Sequence, residues 1–200
     1  MKKTFYFFRH GQTPWNDQFR LQGSLDISLN EKGRDQAKEL SERLLSRGIE
    51  IIYTSDLSRA FETATIVSHK LKVNTVKKSA LRECHFGDVE GAHFDDVKQK
   101  YGLETWESFR VSNPKHNQAH FPNAESPSEV YKRVNHCIDQ IINEDYSCVG
   151  ISTHGAVLRN FIHPLIDSSH WPIPIPNCGV FHLEYENGNW NYLGPIQEIK

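Results

Sequence analysis

The sequence lacks the features of a membrane-spanning, disulfide-stabilised or nucleic-acid-binding protein. Its apolar runs all fall far short of the roughly 18 residues that cross a bilayer. The 4 cysteines are scattered without a C-x-x-C pair, and a chain of 200 residues can fold without disulfides. Lys and Arg (23) nearly balance Asp and Glu (25), and a net charge of −2 argues against nucleic acid or an anionic membrane as a partner.

The sequence also predicts no secretory leader. Met1–Lys3 is basic like the start of a signal peptide, but only Thr4–Phe8 follows before Arg9, which is too short for the apolar region of a leader. We therefore expect a cytoplasmic protein. The length and the absence of repeats or low-complexity tracts predict one domain over residues 1–200, with an inserted cap at about residues 92–125.

Short apolar runs alternate with segments of helical spacing. Strands are predicted at about residues 4–8, 49–53, 73–76 and 148–153, with helices between them, one of them capped by Ser55 or Asp56. Asn187-Gly188 predicts a hairpin near the end of the chain. The pattern indicates the α/β class, as a three-layer α/β/α sandwich with a mostly parallel central sheet and an antiparallel edge.

Polar side chains follow three of the predicted strands directly. The first strand ends in Arg9-His10, the second precedes Ser55–Arg59, and the fourth ends in His154. Parallel strands bring their carboxyl ends to one edge of a sheet, where ligands bind. Singly, such a histidine is usually structural and such an arginine a surface charge. Together, the two histidines and two arginines predict an anion site, because guanidinium groups and helix N-termini suit phosphate.

The residues around His10 carry a family resemblance. Phe8–Asn16 resembles the signature of the histidine phosphatase superfamily, the phosphoglycerate-mutase-like enzymes, and Gln22–Asp26 resembles its small phosphatases. The resemblance spans residues 5 to about 183 in the family's order, with further matches at Gln22–Asp26, Leu29–Gly33, Ser55–Ala60, Leu81–Glu83 and Thr153–Gly155.

The resemblance implies catalytic roles for three residues. His10 would be the nucleophile that becomes phosphohistidine, and a neutral imidazole is competent for this at pH 7. Glu83 would be the general acid that protonates the leaving oxygen and then the general base toward water. His154, expected to be protonated, would stabilise the transferring phosphoryl group.

The resemblance also implies a set of binding residues. Arg9, Arg59 and His154 would hold the phosphoryl oxygens, and Asn16 would add an amide donor. Further candidates for contact with the substrate are Gln22, Gly23 and His85, with His93 as a neighbour of the pocket.

We predict neither a metal nor a cofactor, although the chain contains 11 histidines. His116 and His120 have the i, i+4 spacing of metal ligands, but they lie in a predicted loop without an acidic third ligand nearby. Arg9 and Arg59 with His154 would supply the positive charge that phosphoryl transfer requires.

The predicted function is a metal-independent phosphomonoester hydrolase that acts through phosphohistidine on a small phosphorylated metabolite. Phosphoglycerate mutase-type phosphoryl transfer is the alternative, but residues 93–122 contain basic residues only singly. The aromatic residues of that segment suit either a cap over the substrate or packing against the body. A non-catalytic phosphate-binding module is a third hypothesis, against which the complete set of reactive residues argues. Substrate identity and oligomeric state are not predicted.

Overall fold

A six-stranded sheet forms the centre of the computed structural model, which describes residues 2–111, 113–166 and 173–196. The strands are β1 (Lys2–Arg9), β2 (Ile51–Thr54), β3 (Asn74–Lys77), β4 (Cys148–Thr153), β5 (Val180–Glu186) and β6 (Asn189–Ile196). Their order in the sheet is β3-β2-β4-β1-β5-β6. The first four in this order are parallel, β5 runs antiparallel to β1, and β6 runs antiparallel to β5.

Helices cover both faces of the sheet. Alternation along β1 sends Phe5 and Phe7 into one apolar core and Tyr6 and Phe8 into the other. Helices α2 and α3 pack on the second core, whereas α6 and α7 pack on the first, so the predicted three-layer α/β/α fold is confirmed. The helices are α1 (Pro14–Asp17), α2 (Glu31–Leu44), α3 (Ser58–Leu71), α4 (Phe94–Tyr101), α5 (Leu103–Arg110), α6 (Pro127–Ile142) and α7 (Gly155–Ile162).

None of the helices in the described ranges is both long enough and apolar enough to span a bilayer.

The cap of α3 differs from the sequence prediction. The helix begins at Ser58, and the carboxylate of Asp26 accepts hydrogen bonds from the Ser58 backbone N–H and hydroxyl, both at 2.7 Å. Asp56 instead forms a bidentate ion pair with Arg82, at 2.7 and 2.8 Å. Neither Ser55 nor Asp56 caps the helix, because a residue 32 positions earlier in the chain reaches its N-terminus.

The segment predicted as an inserted cap contains α4 and α5. The aromatic rings of this segment pack against one another: the centroids of Phe94 and Trp106 are 5.0 Å apart, and those of Phe109 and Phe121 are 4.8 Å apart. Trp106, Phe109 and Phe121 belong to the core beside α6 and α7. The segment therefore packs on the body of the domain; its role as a cap stays a prediction.

Two glycines set the position of α2 against the loop that follows β1. A Cβ atom on Gly33 would overlap the carbonyl oxygen of Gln12, and one on Gly11 would overlap the carbonyl oxygen of Gly33. Asn30 joins the same two segments, because its side chain accepts from the Gly33 N–H at 2.8 Å and donates to the Gln12 side chain at 2.9 Å. The loop that carries His10 thus depends on backbone contact with α2.

Gly33→Ala is expected to destabilise the fold. The added methyl group must push α2 away from the Gln12 carbonyl, which costs about 1–3 kcal/mol for overpacking of this kind. Urea unfolding measures the difference, with Glu39→Ala on the exposed face of the same helix as the control. Equal unfolding midpoints for the two variants would show that the helix and loop separate without strain.

Candidate active site

The ends of three parallel strands bring the predicted site residues together. In the sheet, β4 lies between β2 and β1. The backbone N–H of His10 donates to the carbonyl of Thr153 at 3.0 Å, and that of Ser55 donates to Ser152 at 3.0 Å. The ladder hydrogen bonds therefore continue one residue past the strands. His10, Ser55 and His154 consequently lie side by side at one edge of the sheet.

His10 is held in one tautomer. Its Nδ1 lies 2.7 Å from the carbonyl oxygen of Gly11, and because that oxygen can only accept, Nδ1 carries the proton. The lone pair then resides on Nε2. The imidazole is 2 % exposed, and burial, followed by the charges of Arg59 and Arg9, holds the pKa of His10 well below its ordinary value. His10 is therefore a neutral base at pH 7.

His154 lies behind His10, with ring centroids 5.2 Å apart. Its Nε2 is 2.8 Å from the Ser55 hydroxyl oxygen, which also accepts the Leu57 N–H at 3.2 Å. Among the described residues, His154 Nε2 is the acceptor within reach of the Ser55 hydroxyl proton, and we therefore infer that this proton points to Nε2. The ring proton then lies on Nδ1, which has no hydrogen-bond partner in the described chain.

The expectation that His154 is protonated is wrong for the ligand-free protein. The residue is completely buried, and burial, followed by the charges of Arg59, His10 and Arg9, holds the pKa of His154 well below its ordinary value. A neutral ring with its proton on Nδ1 can still donate a hydrogen bond. His154 is not among the residues that line the cavity described below.

Two arginines, the buried Arg59 and the half-buried Arg9, flank the histidines. Arg59 is completely buried, and its guanidinium donates to the carbonyl oxygens of Leu25 at 2.7 Å and Gly23 at 2.8 Å. Arg9 donates to the carbonyl oxygen of Ile175 at 2.8 Å. The Nε atoms of both arginines have no partner among the described residues. Burial lowers the pKa of Arg59 to about 10, so the group stays charged at neutral pH.

Glu83 sits at the N-terminus of α7. Its carboxylate accepts three backbone N–H groups: Cys84 at 3.0 Å, Ala156 at 3.2 Å and Val157 at 3.2 Å. A Cβ atom on Gly155 would lie 3.6 Å from Arg9 Nε and 3.9 Å from Glu83 Oε2, so both charged groups border the same glycine. Glu83, which was predicted from the Leu81–Glu83 motif, thus has its carboxylate close to Arg9 in the structure.

Asn16 faces the same space from α1. Its side-chain oxygen accepts the Thr13 N–H at 3.2 Å and the side-chain amide of Asn177 at 3.2 Å, which leaves its NH₂ group available to a ligand. Asn177 also donates to the carbonyl of His10 at 3.0 Å. Asn177 therefore supports both Asn16 and the His10 loop.

These residues border a cavity of about 380 Å³. The predicted residues Arg9, His10, Asn16, Gln22, Gly23, Arg59 and Glu83 all line it. His85 does not line it: the residue is exposed, and its Nδ1 lies 3.1 Å from the carbonyl oxygen of Asn123. His93 is also outside the lining and instead caps α4 by accepting the Asp95 N–H at 3.1 Å.

The cavity wall contains residues that the sequence reasoning did not place in the site. Arg20 and Arg159 were not predicted, and Arg110 was included only among the isolated basic residues of the segment 93–122. A signal for Arg159 was present, because it lies four residues after Gly155 and therefore on the same face of α7. The remainder of the wall carries no charged side chain and consists of Leu21, Phe86, Phe94, Trp106, Phe109, Gly155, Ala156, Ile173, Pro174 and Ile175.

Among the described residues, no group of three or more His, Cys, Asp or Glu side chains is placed to hold a metal ion. Ile173 and Ile175, which line the cavity, also pack against the core. His170, Trp171 and Pro172 lie outside the described residues.

The chain is similar to known proteins over nearly its whole length. A putative phosphoserine phosphatase 2 of Hydrogenobacter thermophilus is 31 % identical, over 97 % of this chain and 96 % of that protein. A probable phosphoglycerate mutase of Escherichia coli is 28 % identical over 96 % of this chain and 90 % of its own length. The structure of a mycobacterial glucosyl-3-phosphoglycerate phosphatase in complex with VO3 superposes with a TM-score of 0.86 at 25 % identity, covering 96 % of this chain and 98 % of that one.

The model of the histidine phosphatase superfamily (branch 1) matches residues 5–195. The chain belongs to this superfamily, and the prediction of an enzyme of the histidine phosphatase type is confirmed at that level.

Both buried histidines are expected to resist protonation. In the folded state the pKa values of His10 and His154 are depressed, whereas in the unfolded chain they return to about 6.5. Below pH 6.5 the unfolded chain therefore binds more protons than the folded one. As the pH is lowered, the free energy of unfolding falls by up to about 1.4 kcal/mol per pH unit for each histidine. Unfolding measured between pH 5 and 8 should show this loss.

Imidazole NMR resonances provide the residue-level measurement. The two buried histidines should keep neutral shifts at pH values where a histidine of ordinary pKa, about 6.5, is half protonated. Titration of His10 or His154 with a midpoint at or above 6.5 would contradict the expected pKa depression.

Proposed function

We propose that the protein hydrolyses phosphomonoesters of small metabolites through a phosphohistidine at His10, without a metal. One observation carries the proposal: the His10 ring has its proton fixed toward Gly11 and its Nε2 lone pair available, beside the guanidinium groups of the buried Arg59 and the half-buried Arg9. A nucleophile next to fixed positive charge is what phosphoryl transfer requires, since the protein's main task there is to position and neutralise the transferring group.

The first step transfers the phosphoryl group to His10. The Nε2 lone pair forms a bond to phosphorus while the ester P–O bond breaks, and the protonated carboxyl of Glu83 gives its proton to the departing oxygen. Arg9 and Arg59 stabilise the charge on the three equatorial oxygens. Nδ1 keeps its proton throughout, and the Gly11 carbonyl stabilises the positive charge that the phosphorylated ring acquires.

The second step returns the enzyme to its starting state. Glu83, now a carboxylate, accepts a proton from water, whose oxygen bonds to phosphorus as the P–N bond breaks. The electron pair of that bond returns to Nε2, and inorganic phosphate leaves. His154 would donate its Nδ1 proton in a hydrogen bond to a phosphoryl oxygen, and the Ser55 hydroxyl would keep that proton on Nδ1.

The relatives support the same reaction class. Two of the compared proteins are named as phosphatases, one of them for phosphoserine and one for glucosyl-3-phosphoglycerate, and the latter was crystallised with VO3. Phosphoglycerate mutase activity is the second candidate, since another relative carries that name. A cavity of about 380 Å³ suits a small phosphorylated molecule better than a macromolecule.

His10→Ala is expected to abolish release of phosphate from an aryl phosphate. The wild-type enzyme should release phosphate in the presence of excess chelator, because arginine side chains and not a metal would supply the charge. Loss of the nucleophile should lower kcat by at least about 10³-fold, corresponding to roughly 4 kcal/mol. His69→Ala, on the exposed face of α3, is the matched control.

Two results would contradict this scheme. Equal kcat in His10→Ala and the wild type would exclude His10 as the nucleophile, and loss of wild-type activity in chelator would exclude the metal-free reaction. A mutase would instead interconvert phosphoglycerates in the presence of a bisphosphoglycerate primer, without net phosphate release.

Glu83→Gln is expected to impair alkyl esters far more than aryl esters. An alkoxide leaving group needs a proton, whereas a nitrophenolate leaves without one, so loss of a general acid should cost about 10²–10⁴-fold on the alkyl ester alone. The measurement is the ratio of the kcat values for the two esters, and the control is Glu104→Gln at an exposed position of α5. Equal losses on both esters would assign Glu83 a structural role.

A further inference from the structure

The segment that carries Glu83 has no regular secondary structure to hold it. A single 3₁₀ turn, Ser79–Leu81, ends before it, and residues 83–86 lie outside any helix or strand. The Glu83 carboxylate nevertheless lies against α7, where it accepts the Ala156 and Val157 N–H groups, each at 3.2 Å. Backbone groups outside helices and strands need other partners, so the partners of this segment show what keeps Glu83 in place.

Side chains from other elements donate hydrogen bonds to the carbonyl oxygens of residues 80–83. The Thr153 hydroxyl donates to the carbonyl of Leu81 at 2.8 Å. The half-buried Arg133 of α6 donates to the carbonyls of the other three residues, Ala80 at 2.7 Å, Arg82 at 2.8 Å and Glu83 at 3.2 Å. A single guanidinium group therefore holds most of the backbone that leads to the carboxylate.

Glu125 fixes this guanidinium group from the other side. Its two carboxylate oxygens accept from Nε and Nη2 of Arg133, at 2.6 and 2.9 Å. A guanidinium has five N–H donors, and the contacts with Glu125 and the three carbonyls account for all of them. Glu125 also accepts the His85 N–H at 3.1 Å. The pair therefore binds the chain on both sides of Glu83.

Arg133 has no direct access to a bound substrate. It is absent from the residues that line the cavity, and its charge is paired with a carboxylate. Any effect of Arg133 on the reaction must therefore pass through the residues that it holds. Proton transfer requires the acid within hydrogen-bond reach of the leaving oxygen, and a displacement of about 1 Å can cost roughly 10²-fold in rate.

We propose that Arg133, fixed by Glu125, is the positioning residue for the general acid: its guanidinium sets the path of residues 80–83 and thereby places the Glu83 carboxyl for proton transfer to the leaving oxygen. The inference rests on the proposed function of Glu83. It requires the fork geometry of an arginine and not only a positive charge, because three carbonyls and one carboxylate are bound at once.

The ratio of kcat/KM values for an aryl and an alkyl phosphate measures the positioning. kcat/KM reports the step in which the leaving oxygen departs, and a fraction of unfolded enzyme lowers both values equally. Arg133→Met should raise the aryl-to-alkyl ratio about tenfold or more. Lys132→Met removes a positive charge from an exposed position of the same helix and should leave the ratio unchanged.

Two further variants distinguish positioning from charge and from general stability. Arg133→Lys keeps the charge but not the fork, and it should still raise the ratio by about threefold or more. The double variant Glu83→Gln, Arg133→Met should show the ratio of Glu83→Gln alone, because an arginine that acts through Glu83 has no effect once the acid is lost.

Amide hydrogen exchange measured by NMR follows the carboxylate without turnover. The Ala156 and Val157 N–H groups belong to the first turn of α7 and donate to Glu83, whereas the Leu158 N–H donates to the carbonyl of His154 at 3.0 Å. In Arg133→Met the first two amides should exchange about tenfold or more rapidly, as in Glu83→Ala, and that of Leu158 should stay protected.

The outcomes separate this inference from the proposed function. A wild-type ester ratio in Arg133→Met or in Arg133→Lys, additive effects in the double variant, or unchanged exchange of the Ala156 and Val157 amides would overturn the positioning role. A wild-type enzyme that releases no phosphate from either ester would overturn the hydrolase function. Faster amide exchange in Arg133→Met would in that case still support the placement of the carboxylate by Arg133.

Discussion

The burial of the Arg59 guanidinium is the constraint on which the site depends. A completely buried positive charge is costly unless polar groups surround it, and the carbonyl oxygens of Gly23 and Leu25 do so here. The loop that carries them is held in turn, because Glu90 accepts the Ser24 N–H at 2.7 Å. Gly23 adopts a φ of 54°, and a side chain there would overlap Glu90.

The same loop also determines where α3 begins. Asp26 caps the helix at Ser58, and Arg59 is the next residue. One segment, Gly23–Asp26, therefore fixes both the start of the helix and the direction of the charged side chain that the helix presents. The orientation of the Arg59 guanidinium is consequently set before any ligand arrives, which reduces the free energy needed to reorganise the site.

Much of the fold could be predicted from the sequence, because the central strands β1, β2 and β4 are short, mostly buried apolar runs and each major helix has a regular apolar face. The convergence of His10, Arg59 and His154 followed from the parallel sheet. The cap by Asp26 could not be predicted, since it joins segments that are distant in the sequence. The neutral state of His154 also depends on three-dimensional burial: the same residue in an open pocket would titrate near its ordinary pKa.

Helix α7 has a role that its individual contacts do not reveal. Its first turn donates N–H groups to Glu83, and its second turn presents Arg159 to the same cavity. Arg159 is part of α7, and Glu83 is hydrogen-bonded to its first turn, so the helix connects the two charged groups. A displacement of the helix would therefore change the positions of the cation and of the carboxylate together, whereas a change in a loop would affect one of them alone.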